Sequence, residues 1–451
     1  MSNILELIGN TPLVKINQFD TGVCNLYLKL ESQNPGGSIK DRIALSIIND
    51  AENKGLIKPG YTLVEATAGN TGLGLALVAC IKGYKLILVI PDKMSKEKVI
   101  HLKALGAQVV MTRSDVLKGH KDYYQDRAAQ IASETPNSFY INQFENPANP
   151  LAHKTTTGPE IYNQLNGNID AIVCGIGSGG TITGLTQYFN EINHPVEMVL
   201  ADIQGSVLAD YIKTGKIKDA GSWVVEGIGE DYIPQIADLS GVKKAYTISD
   251  KESMDTSRML LVKEGILAGS SSGTLLAAAL KYCKEQKEPK NVVTFVCDTG
   301  NKYLNKFWDY SWYMREGFAK DPKDVVISDL VLSKIEGGNY PSVDISTSIY
   351  STYKKMRANN INKIVVTEND EFAGITDINL IIRAIKNGMQ PHAPVSCCLA
   401  QNWTSVQIDD LPNKIRDILA MGNHPVLFAG SKLIGIISEN DFLDWWLLQK
   451  K

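Results

Sequence analysis

Short apolar runs alternate with helical patterns from about residue 60 to about residue 300. Five of these runs have the length of a buried strand: LILVI from residue 86, AQVVM from 107, AIVC from 171, EMVLAD from 197 and VVTFVC from 292. Between them, apolar residues recur at helical spacing, as in TITGLTQYFNEI from Thr181. Strands that alternate with helices form parallel sheets covered by helices on both faces. The pattern therefore predicts an α/β fold.

A charged, proline-bearing stretch, FAKDPKDV at residues 318–325, interrupts this pattern. At 451 residues the chain is too long for one ordinary hydrophobic core. We therefore predict an α/β core at residues 1–319, a linker at 320–326 and a second module at 327–451.

The second module contains an internal repeat. NKIVVTENDEFAGITDINLIIRAI from Asn362 and HPVLFAGSKLIGIISENDFLDWW from His424 align with a constant offset of 62 residues. Each copy predicts a strand, a tight turn, a strand and a helix, so two β-β-α units at about 330–388 and 390–448 are expected to pack face to face.

Each repeat has a hydroxyl and an amide or acid three residues apart at the predicted helix start. The pairs are Thr376 with Asn379, and Ser438 with Asp441. These side chains either cap the exposed N–H groups of the helix or bind the ribose hydroxyls of a nucleotide, and both interpretations stay open.

The charge balance favours small-molecule chemistry. The chain has 46 basic and 49 acidic residues, which gives no electrostatic basis for binding nucleic acid or a membrane surface. The start, MSNILELIGNTPL, lacks the basic region and apolar run of a signal peptide, and LGLALVACI has about half the length of a membrane span. We therefore expect a soluble protein.

Cysteine and histidine spacings argue against disulfides and metal. The seven cysteines include no C-x-x-C pair, and the six histidines include no H-x-H or H-E-x-x-H spacing. Reduced thiols are typical of the cytoplasm, which is where we place the protein, and we expect no metal site.

A glycine-rich stretch, CGIGSGGTITG at residues 174–184, has the G-x-G-x-x-G spacing of a dinucleotide-binding turn. It lies between a predicted strand and a predicted helix, so its N–H groups would face a phosphate. Asp202 follows where a nicotinamide enzyme has its ribose-binding acid. Taken alone, the stretch indicates either a dehydrogenase or a plain strand-to-helix turn.

A second candidate is Lys40, in the stretch NPGGSIKDR. Gly36 and Gly37 bring this lysine to the start of a predicted helix, where the helix dipole disfavours an ammonium. A lysine whose pKa is lowered in this way suits a Schiff-base amine, although most lysines are solvated charges.

Two further loops follow predicted strands. In EATAGNTGLGLA, Thr67, Gly69, Asn70 and Thr71 form a polar loop that either caps the next helix or receives a substrate carboxylate. In VVTFVCDTGNKY, Asp298 and Thr299 end a buried strand, where open α/β sheets gather ligands.

The stretch GSSSG at residues 269–273 fits the G-x-S-x-G of a hydrolase. No nearby histidine and aspartate pattern supports a triad, so we interpret it as a small-residue turn that caps the next helix.

These stretches together resemble a known family. IGNTPLV, NPGGSIKDR, ATAGNTG, GIGSGGTITG, EGIG and CDTGN occur in this order between Leu5 and about Phe318. Their order and spacing resemble the fold-type II pyridoxal-phosphate enzymes, the cysteine synthase and cystathionine β-synthase family. The resemblance implies a tryptophan synthase β-like core with two parallel-sheet subdomains, followed by a tandem CBS-type regulatory module.

Carried over residue by residue, the resemblance implies a pyridoxal 5′-phosphate site. Lys40 is the lysine that binds the cofactor covalently, Asn70 bonds its 3′-oxygen, and Thr299 meets its pyridine nitrogen. The cofactor phosphate is assigned to Gly177, Ser178, Gly179, Gly180 and Thr181, and the substrate carboxylate to Thr67, Ala68, Gly69, Thr71 and Gln143. A hydroxyl at the pyridine nitrogen makes the ring a weaker electron sink, which favours elimination over transamination. Asp202 then becomes an ordinary strand-end acid.

The implied reaction is a β-replacement on an amino acid that has a leaving group on Cβ. The stretches NPLAH at 149–153 and EGIGEDYIP at 226–234, with the C-terminal repeat, favour the branch that joins L-serine, or an activated serine, to L-homocysteine to give L-cystathionine. The second stretch resembles that branch's EGIG-aromatic-D form, with Glu226 as a proton carrier.

Two alternatives remain: cysteine synthesis from O-acetylserine and sulfide, and an inactive core that carries a sensor for an adenosyl ligand. Two departures from the family pattern bear on the choice of donor, Ala68 where serine is usual and Lys154 where tyrosine is common.

In the C-terminal module, the family's ribose-binding acid falls on Asp441 in the second repeat and on Asn379 in the first. An anionic acceptor binds a ribose diol more strongly, so S-adenosylmethionine or an adenine nucleotide is expected to prefer the Asp441 site. The alternative is a dimerisation surface without a ligand. The resemblance also implies a homodimer or higher homo-oligomer, and we expect no haem, because the chain begins almost at the catalytic pattern.

Overall fold

The computed structural model describes residues 3–67, 69–92, 96–113, 116, 120–318, 331, 340–408, 410 and 412–448. The chain divides into two compact units, Met1–Leu304 and Asn305–Lys451. Ala68 and the predicted linker at 320–326 lie outside the described residues, so the predicted domain boundaries stay predictions.

The strands of the first unit are β1 Leu13–Lys15, β2 Asn25–Lys29, β3 Thr62–Ala66, β4 Lys85–Pro91, β5 Gln108–Thr112, β6 Ser138–Tyr140, β7 Ala171–Gly175, β8 Glu197–Ile203, β9 Val242–Ile248 and β10 Asn291–Phe295. The five runs predicted as strands are β4, β5, β7, β8 and β10. They form strands because they are short, rich in branched side chains and bounded by turn residues.

The helices of the first unit are α1 Lys40–Asn53, α2 Asn70–Lys82, α3 Lys96–Ala104, α4 Tyr124–Glu134, α5 Ala148–Ala152, α6 Gly158–Gln164, α7 Gly180–Glu191, α8 Leu208–Thr214, α9 Asp250–Glu264 and α10 Ser270–Lys284. A π-helical turn, His153–Thr157, joins α5 to α6.

The strands form two sheets. One has the order β1-β2-β10-β7-β8-β9, and the other has the order β5-β4-β3-β6. All neighbouring pairs are parallel except β1 with β2. The central strands are buried along most of their length, as in β3, where every residue is buried. This is the two-sheet α/β core that the alternating pattern and the resemblance predict.

The second unit has two three-stranded sheets, β11-β12-β13 and β14-β15-β16. Its strands are β11 Ser342–Asp344, β12 Lys363–Glu368, β13 Glu371–Asp377, β14 Trp403–Gln407, β15 His424–Ala429 and β16 Lys432–Ile436. Its helices are α11 Tyr310–Arg315, α12 Ile349–Ala358, α13 Ile378–Lys386, α14 Pro412–Ala420 and α15 Glu439–Leu448. Val365 and Ile375 of one sheet share a buried cluster with Val426 and Ile436 of the other, so the two repeats pack together as predicted.

In the part of the chain that is described, no helix combines the length and the apolar composition that a membrane crossing requires.

Candidate active site

Backbone pairing brings Lys40 to the carboxyl end of β10. Ser38 forms an antiparallel bridge with Asp298, and the N–H of Ile39 donates to the carbonyl oxygen of Cys297 at 2.9 Å. The N–H of Thr299 donates to the carbonyl oxygen of Gly37 at 3.1 Å. Because α1 begins at Lys40, this pairing places the first residue of the helix beside the strand end, as the sequence predicts.

Burial lowers the pKa of the Lys40 ammonium, and the nearby Cys297, Asp298 and Glu230 side chains oppose that shift. A lowered pKa of Lys40 was predicted from the helix dipole. The larger cause is desolvation, which disfavours the charged form of an amine. An amine that loses its proton readily is suited to Schiff-base chemistry.

Asn70, the first residue of α2, lies next to the same strand end. Its amide nitrogen Nδ2 donates to Oδ2 of Asp298 at 2.8 Å. The ammonium of Lys302 donates to Oδ1 of Asn70 at 2.6 Å. Asn70, which is predicted to bond the 3′-oxygen of the cofactor, is therefore hydrogen-bonded directly to the turn after β10. The two segments lie in distant parts of the sequence.

The loops after β3 and β6 meet at a pair of buried polar side chains. The hydroxyl of Thr71 donates to Oε1 of Gln143 at 2.7 Å. Thr67 is also buried, and its hydroxyl accepts a 3.4 Å hydrogen bond from the N–H of Gly69. The structure thus brings together four of the five residues predicted to bind the substrate carboxylate, and Ala68 lies outside the described residues.

Glu65 lies directly beneath this loop, within β3, and sequence reasoning missed it. Its carboxyl oxygens accept hydrogen bonds from the N–H groups of Ala66 at 2.9 Å and Gln143 at 3.2 Å. Burial raises the pKa of Glu65 to about 8, and these backbone donors oppose the rise. The carboxyl group of Glu65 thus connects the end of β3 to the loop after β6.

The predicted phosphate turn joins β7 to α7. Gly179 has φ +89°, which is the left-handed region that favours glycine, and a Cβ there would come 2.5 Å from Cβ of Ala237. A Cβ at Gly177 would come 2.8 Å from the carbonyl oxygen of Gly227, and a Cβ at Gly180 would collide with the side chain of Asn149. The turn needs glycine at these positions because its backbone passes so close to its neighbours.

Two side chains of the NPLAH stretch hold this turn in place, a function that the sequence analysis did not assign. Asn149 Nδ2 hydrogen-bonds with the hydroxyl of Ser178 at 2.9 Å and donates to the carbonyl oxygen of Gln143 at 2.7 Å. His153 Nε2 lies 3.3 Å from the hydroxyl of Thr181. Burial lowers the pKa of His153 well below its usual range, so its ring is neutral. The proximity of these residues to the turn is a tertiary feature without a local sequence signal.

Thr299 lies beside three buried serines. Its hydroxyl accepts a 3.3 Å hydrogen bond from the N–H of Asn301, and its backbone bridges Ala268. Ser270, Ser271 and Ser272 form the first turn of α10. The GSSSG stretch is therefore a helix start, as predicted, but its serines lie inside the helix and the N-cap residue is Gly269, without a side-chain cap. The serines follow α9 and a short loop, and the hydroxyl of Ser272 accepts a 3.0 Å hydrogen bond from the N–H of Cys297 after β10, so these additional hydroxyls reach this edge through tertiary packing.

Glu226 is partly buried, and its N–H donates to the hydroxyl of Ser270 at 3.2 Å. The charge of Glu230 interacts with that of Lys40, and burial raises the pKa of Glu230 to about 8. The resemblance to an EGIG-aromatic-D form is wrong at residue 230, which is glutamate. Glu230 is therefore a second acid at this site that the sequence analysis passed over.

Two other sequence features have structural functions. Asp202, in β8, accepts a 2.7 Å hydrogen bond from the N–H of Ala209 at the start of α8, as expected of a strand-end acid. Lys154 pairs with Glu191, the last residue of α7, so its ammonium lies at the end of that helix opposite to the glycine turn. The bearing of Lys154 on the choice of donor stays a prediction.

The four residues predicted to bind a regulatory ligand lie at the helix starts of the second unit. The hydroxyl of Thr376 donates to the carbonyl oxygen of Cys398 at 2.6 Å, and the side chain that caps α13 is Asp377. Asp441 is buried and accepts hydrogen bonds from the N–H and the hydroxyl of Ser438 at 2.8 and 2.7 Å. In the second repeat, Ser438 and Asp441 thus make the contacts expected if the pair caps the helix. In the first repeat, Asn379 lies in the first turn of α13. Ligand binding by these residues stays a prediction.

The residues of the first unit fit pyridoxal phosphate. The glycine turn has no room for a side chain at Gly177, Gly179 or Gly180. The first N–H groups of α7 have no acceptor within their own helix. Such a helix start binds a phosphate group. Lys40 supplies an amine whose pKa burial lowers, and such an amine condenses readily with an aldehyde. Within the described residues, no group of three or more histidine, cysteine or acidic side chains could hold a metal ion.

Comparison with known proteins agrees with this geometry. The family model for the pyridoxal-phosphate dependent enzymes matches residues 4–298, and the CBS domain model matches residues 327–387. A solved structure of O-ureido-L-serine synthase is 35% identical with a TM-score of 0.63, and the match covers 68% of this chain and 94% of that one.

Several curated relatives are similar. Cystathionine beta-synthase of Apis mellifera is 42% identical over 71% of this chain, but the match spans only 64% of that relative. The enzyme of the same name from Oryctolagus cuniculus is 35% identical over 93% of this chain and 78% of the relative. Cysteine synthase A of Salmonella typhi is 41% identical over 68% of this chain and 95% of the relative. The family model covers most of the chain, and its residues include the lysine, the polar loop and the glycine turn described above, so this chain belongs to the family of pyridoxal-phosphate dependent enzymes.

Proposed function

We propose that this chain catalyses a β-replacement that joins L-serine, or an activated serine, to L-homocysteine and forms L-cystathionine. The observation that carries the proposal is the extent of similarity. The match to the relative from Oryctolagus cuniculus spans 93% of this chain, including the C-terminal module, whereas the match to cysteine synthase A spans 68%.

The proposal assigns each residue to one function. Lys40 binds the cofactor covalently and moves a proton at the substrate Cα. Thr67, Gly69, Thr71 and Gln143 orient the substrate carboxylate, and their buried hydrogen bonds hold this loop in one conformation. When bound, pyridoxal phosphate supplies an electron sink for negative charge at Cα.

The glycine turn holds the cofactor phosphate with Gly177, Ser178, Gly179, Gly180 and Thr181. Asn149 and His153 support this assignment, because they fix the hydroxyls of Ser178 and Thr181.

Asn70 bonds the 3′-oxygen of the cofactor. The hydroxyl of Thr299, at the start of the 3-10 helix after β10, meets the pyridine nitrogen of the cofactor. Glu226 or Glu230 carries a proton to or from the leaving group and the entering thiol. The charge of Glu230 interacts with that of Lys40, which supports Glu230 as a proton carrier.

Cysteine synthesis from O-acetylserine and sulfide is the second candidate. It is supported by the match to cysteine synthase A, which extends over 95% of that relative. The match to cysteine synthase A and the proposed formation of cystathionine both concern the catalytic unit of this chain. That unit alone therefore does not discriminate between the two reactions.

A competition experiment tests the two reactions. Serine and O-acetylserine are supplied together with homocysteine and sulfide, and the thioether or thiol formed is identified by mass spectrometry. We expect cystathionine as the dominant product, and free cysteine as the dominant product would overturn the proposal.

Borohydride reduction tests the covalent lysine. We expect mass-spectrometric mapping to find the reduced cofactor on Lys40, and Lys40→Ala to lose both the yellow colour and the product. Lys29→Ala is not a suitable control, since Lys29 is buried in an ion pair with Glu160. The exposed Lys58 is suitable, and Lys58→Ala should keep colour and product.

The proposal also includes a regulatory ligand, S-adenosylmethionine or an adenine nucleotide, bound by the second unit near Asp441. Calorimetry with these two ligands tests it. Unchanged binding to Asp441→Ala protein would contradict this site. We further propose a cytoplasmic homodimer or higher homo-oligomer. The seven cysteines, none of which forms a disulfide, are consistent with a reducing compartment.

A further inference from the structure

The ammonium of Lys302 contacts three acceptors at the candidate active site. It donates to Oδ1 of Asn70 at 2.6 Å, to the carbonyl oxygen of Gly36 at 3.0 Å and to that of Gly37 at 3.3 Å. An ammonium has three N–H groups that can donate such bonds, and the charge of Lys302 also acts on the buried carboxyl of Asp41. Lys302 lies in the 3-10 helix Gly300–Tyr303, which begins directly after Thr299.

These acceptors belong to the elements that carry the proposed cofactor contacts. Gly36 and Gly37 form the turn that leads to Lys40, and Asn70 begins α2. Lys302 itself comes from the turn after β10. One side chain therefore connects the three segments that the proposed function assigns to the covalent lysine, the 3′-oxygen and the pyridine nitrogen.

The contacts also fix which way the Asn70 amide faces. Its oxygen accepts from Lys302, and its nitrogen donates to Oδ2 of Asp298 at 2.8 Å. Tyr303 donates to the same Oδ2 atom at 2.7 Å, which holds the carboxylate in place. An amide nitrogen has two N–H groups, so beyond the bond to Asp298 this side chain presents a donor to a ligand. A donor of this kind favours an ionised oxygen over a protonated one.

We propose that Lys302 is a positioning residue for the cofactor, which orients Asn70 as a donor and adds positive charge on the side of the 3′-oxygen. This inference rests on the proposed function, because it assumes that Asn70 faces that oxygen. Its consequence is that Lys302 stabilises the ionised form of the 3′-oxygen. The residue acts through Asn70 and through its charge, not by touching the reacting atoms.

The test is the visible absorption of the cofactor-loaded protein as a function of pH. Lys302→Gln removes the charge but keeps an N–H donor for the glycine carbonyl oxygens, and Lys302→Met removes both. Lys302→Arg keeps the charge. We expect the apparent pKa of the colour transition to rise by about one unit in the two neutral variants, since a nearby charge shifts a pKa by about 1–3 units. The arginine variant should shift it less.

Lys290→Met is the matched control, because Lys290 is a partly buried lysine of the same unit that bonds Glu197 and Tyr282 instead. It should leave the transition unchanged. In an Asn70→Ala background, the effect of Lys302→Gln should shrink, because part of it passes through the amide.

The outcomes separate the inference from the proposed function. A normal visible band with an unchanged transition in Lys302→Gln would overturn the inference alone. If the unmodified protein showed no visible band with pyridoxal phosphate, both would fall. If Lys302→Met does not fold, as judged by circular dichroism, Lys302→Gln decides the matter.

Discussion

The hydroxyl of Thr71 donates a 2.7 Å hydrogen bond to Oε1 of Gln143, and this bond joins the start of α2 to the loop after β6. Both side chains are buried, at 3% and 5% exposure. The pair lies where the proposed function needs a rigid acceptor for a substrate carboxylate, so a change to it should affect substrate binding more than cofactor binding.

Thr71→Val tests this relationship. The substitution leaves the buried Gln143 without its donor, which costs about 1–3 kcal/mol of unfolding free energy. We expect KM for the amino-acid donor to rise about tenfold or more, since a lost hydrogen bond to a charged group is worth about 1.5–3 kcal/mol. Steady-state kinetics and the visible spectrum are the measurements.

Thr294→Val is the control for Thr71→Val. Thr294 is buried in β10, and its hydroxyl donates to the carbonyl oxygen of Val173 at 3.0 Å. The control should lose comparable stability with an unchanged KM. Equal KM changes in the two variants would mean that Thr71 acts only through stability.

Gly179→Ala tests the phosphate turn. The substitution places a Cβ in a left-handed conformation and against Ala237, so the turn must shift. We expect the Kd for pyridoxal phosphate to rise about tenfold or more, because misplaced N–H groups lose their charge-assisted bonds to phosphate. Titration of the cofactor-free protein, followed by absorbance, measures this.

Gly83→Ala is the control for the turn. Gly83 has φ +75° at the end of α2, and an added Cβ there would meet no atom within 4 Å. This variant should lose about 1 kcal/mol of stability from strain and keep its cofactor affinity. A similar loss of affinity in both variants would refute a specific function of the turn.

The pH dependence of stability tests Glu65. Burial raises its pKa to about 8 from 4.5, so between these values the folded protein holds a proton that the unfolded chain has released. Unfolding free energy should therefore fall as pH rises through this window, by up to about 1.4 kcal/mol per pH unit from this group. Glu65→Gln should remove that contribution.

Urea unfolding at several pH values across the window measures the effect of Glu65→Gln. Glu134→Gln is the control, since Glu134 is exposed at the end of α4. If the stability difference between Glu65→Gln and unmodified protein stayed constant with pH, the carboxyl would not be protonated in the folded state.

Glu230 should appear in the pH profile of the reaction. Burial raises its pKa to about 8, so the carboxyl is neutral below that pH and ionised above it. Glutamine has the shape of the neutral form but no proton to transfer. We therefore expect kcat/KM of Glu230→Gln to fall about tenfold or more and to lose the inflection near pH 8 that the carboxyl gives the unmodified enzyme.

Glu288→Gln is the matched control for Glu230, because Glu288 is an exposed glutamate, whereas the charge of the neighbouring Asp231 itself helps to raise the pKa of Glu230. The profile of Glu288→Gln should follow that of the unmodified enzyme. Identical profiles for Glu230→Gln and the unmodified enzyme would exclude Glu230 from the proton transfers.

The sequence predicted what depends on local physics. Hydrophobic periodicity and branched side chains indicated β4, β5, β7, β8 and β10. The glycines of residues 174–184 indicated a turn that only a chain without Cβ atoms can follow, and the structure shows left-handed geometry at Gly179. The start of α1 at Lys40 was predicted from Gly36 and Gly37, and the chain turns at these glycines before the helix begins.

The tertiary structure decided which distant groups meet and how much water they keep. Asn149 and His153 reach the glycine turn only because α5 packs beside α7, and Lys302 meets Asn70 only because the carboxyl ends of β3 and β10 lie close together. Burial, which sets the pKa of Lys40, Glu65 and Glu230, is a property of the packed core, so no local pattern encodes it. The sequence alone determined the elements and the order of their motifs, and the packing of those elements determined the partners and charges of the site.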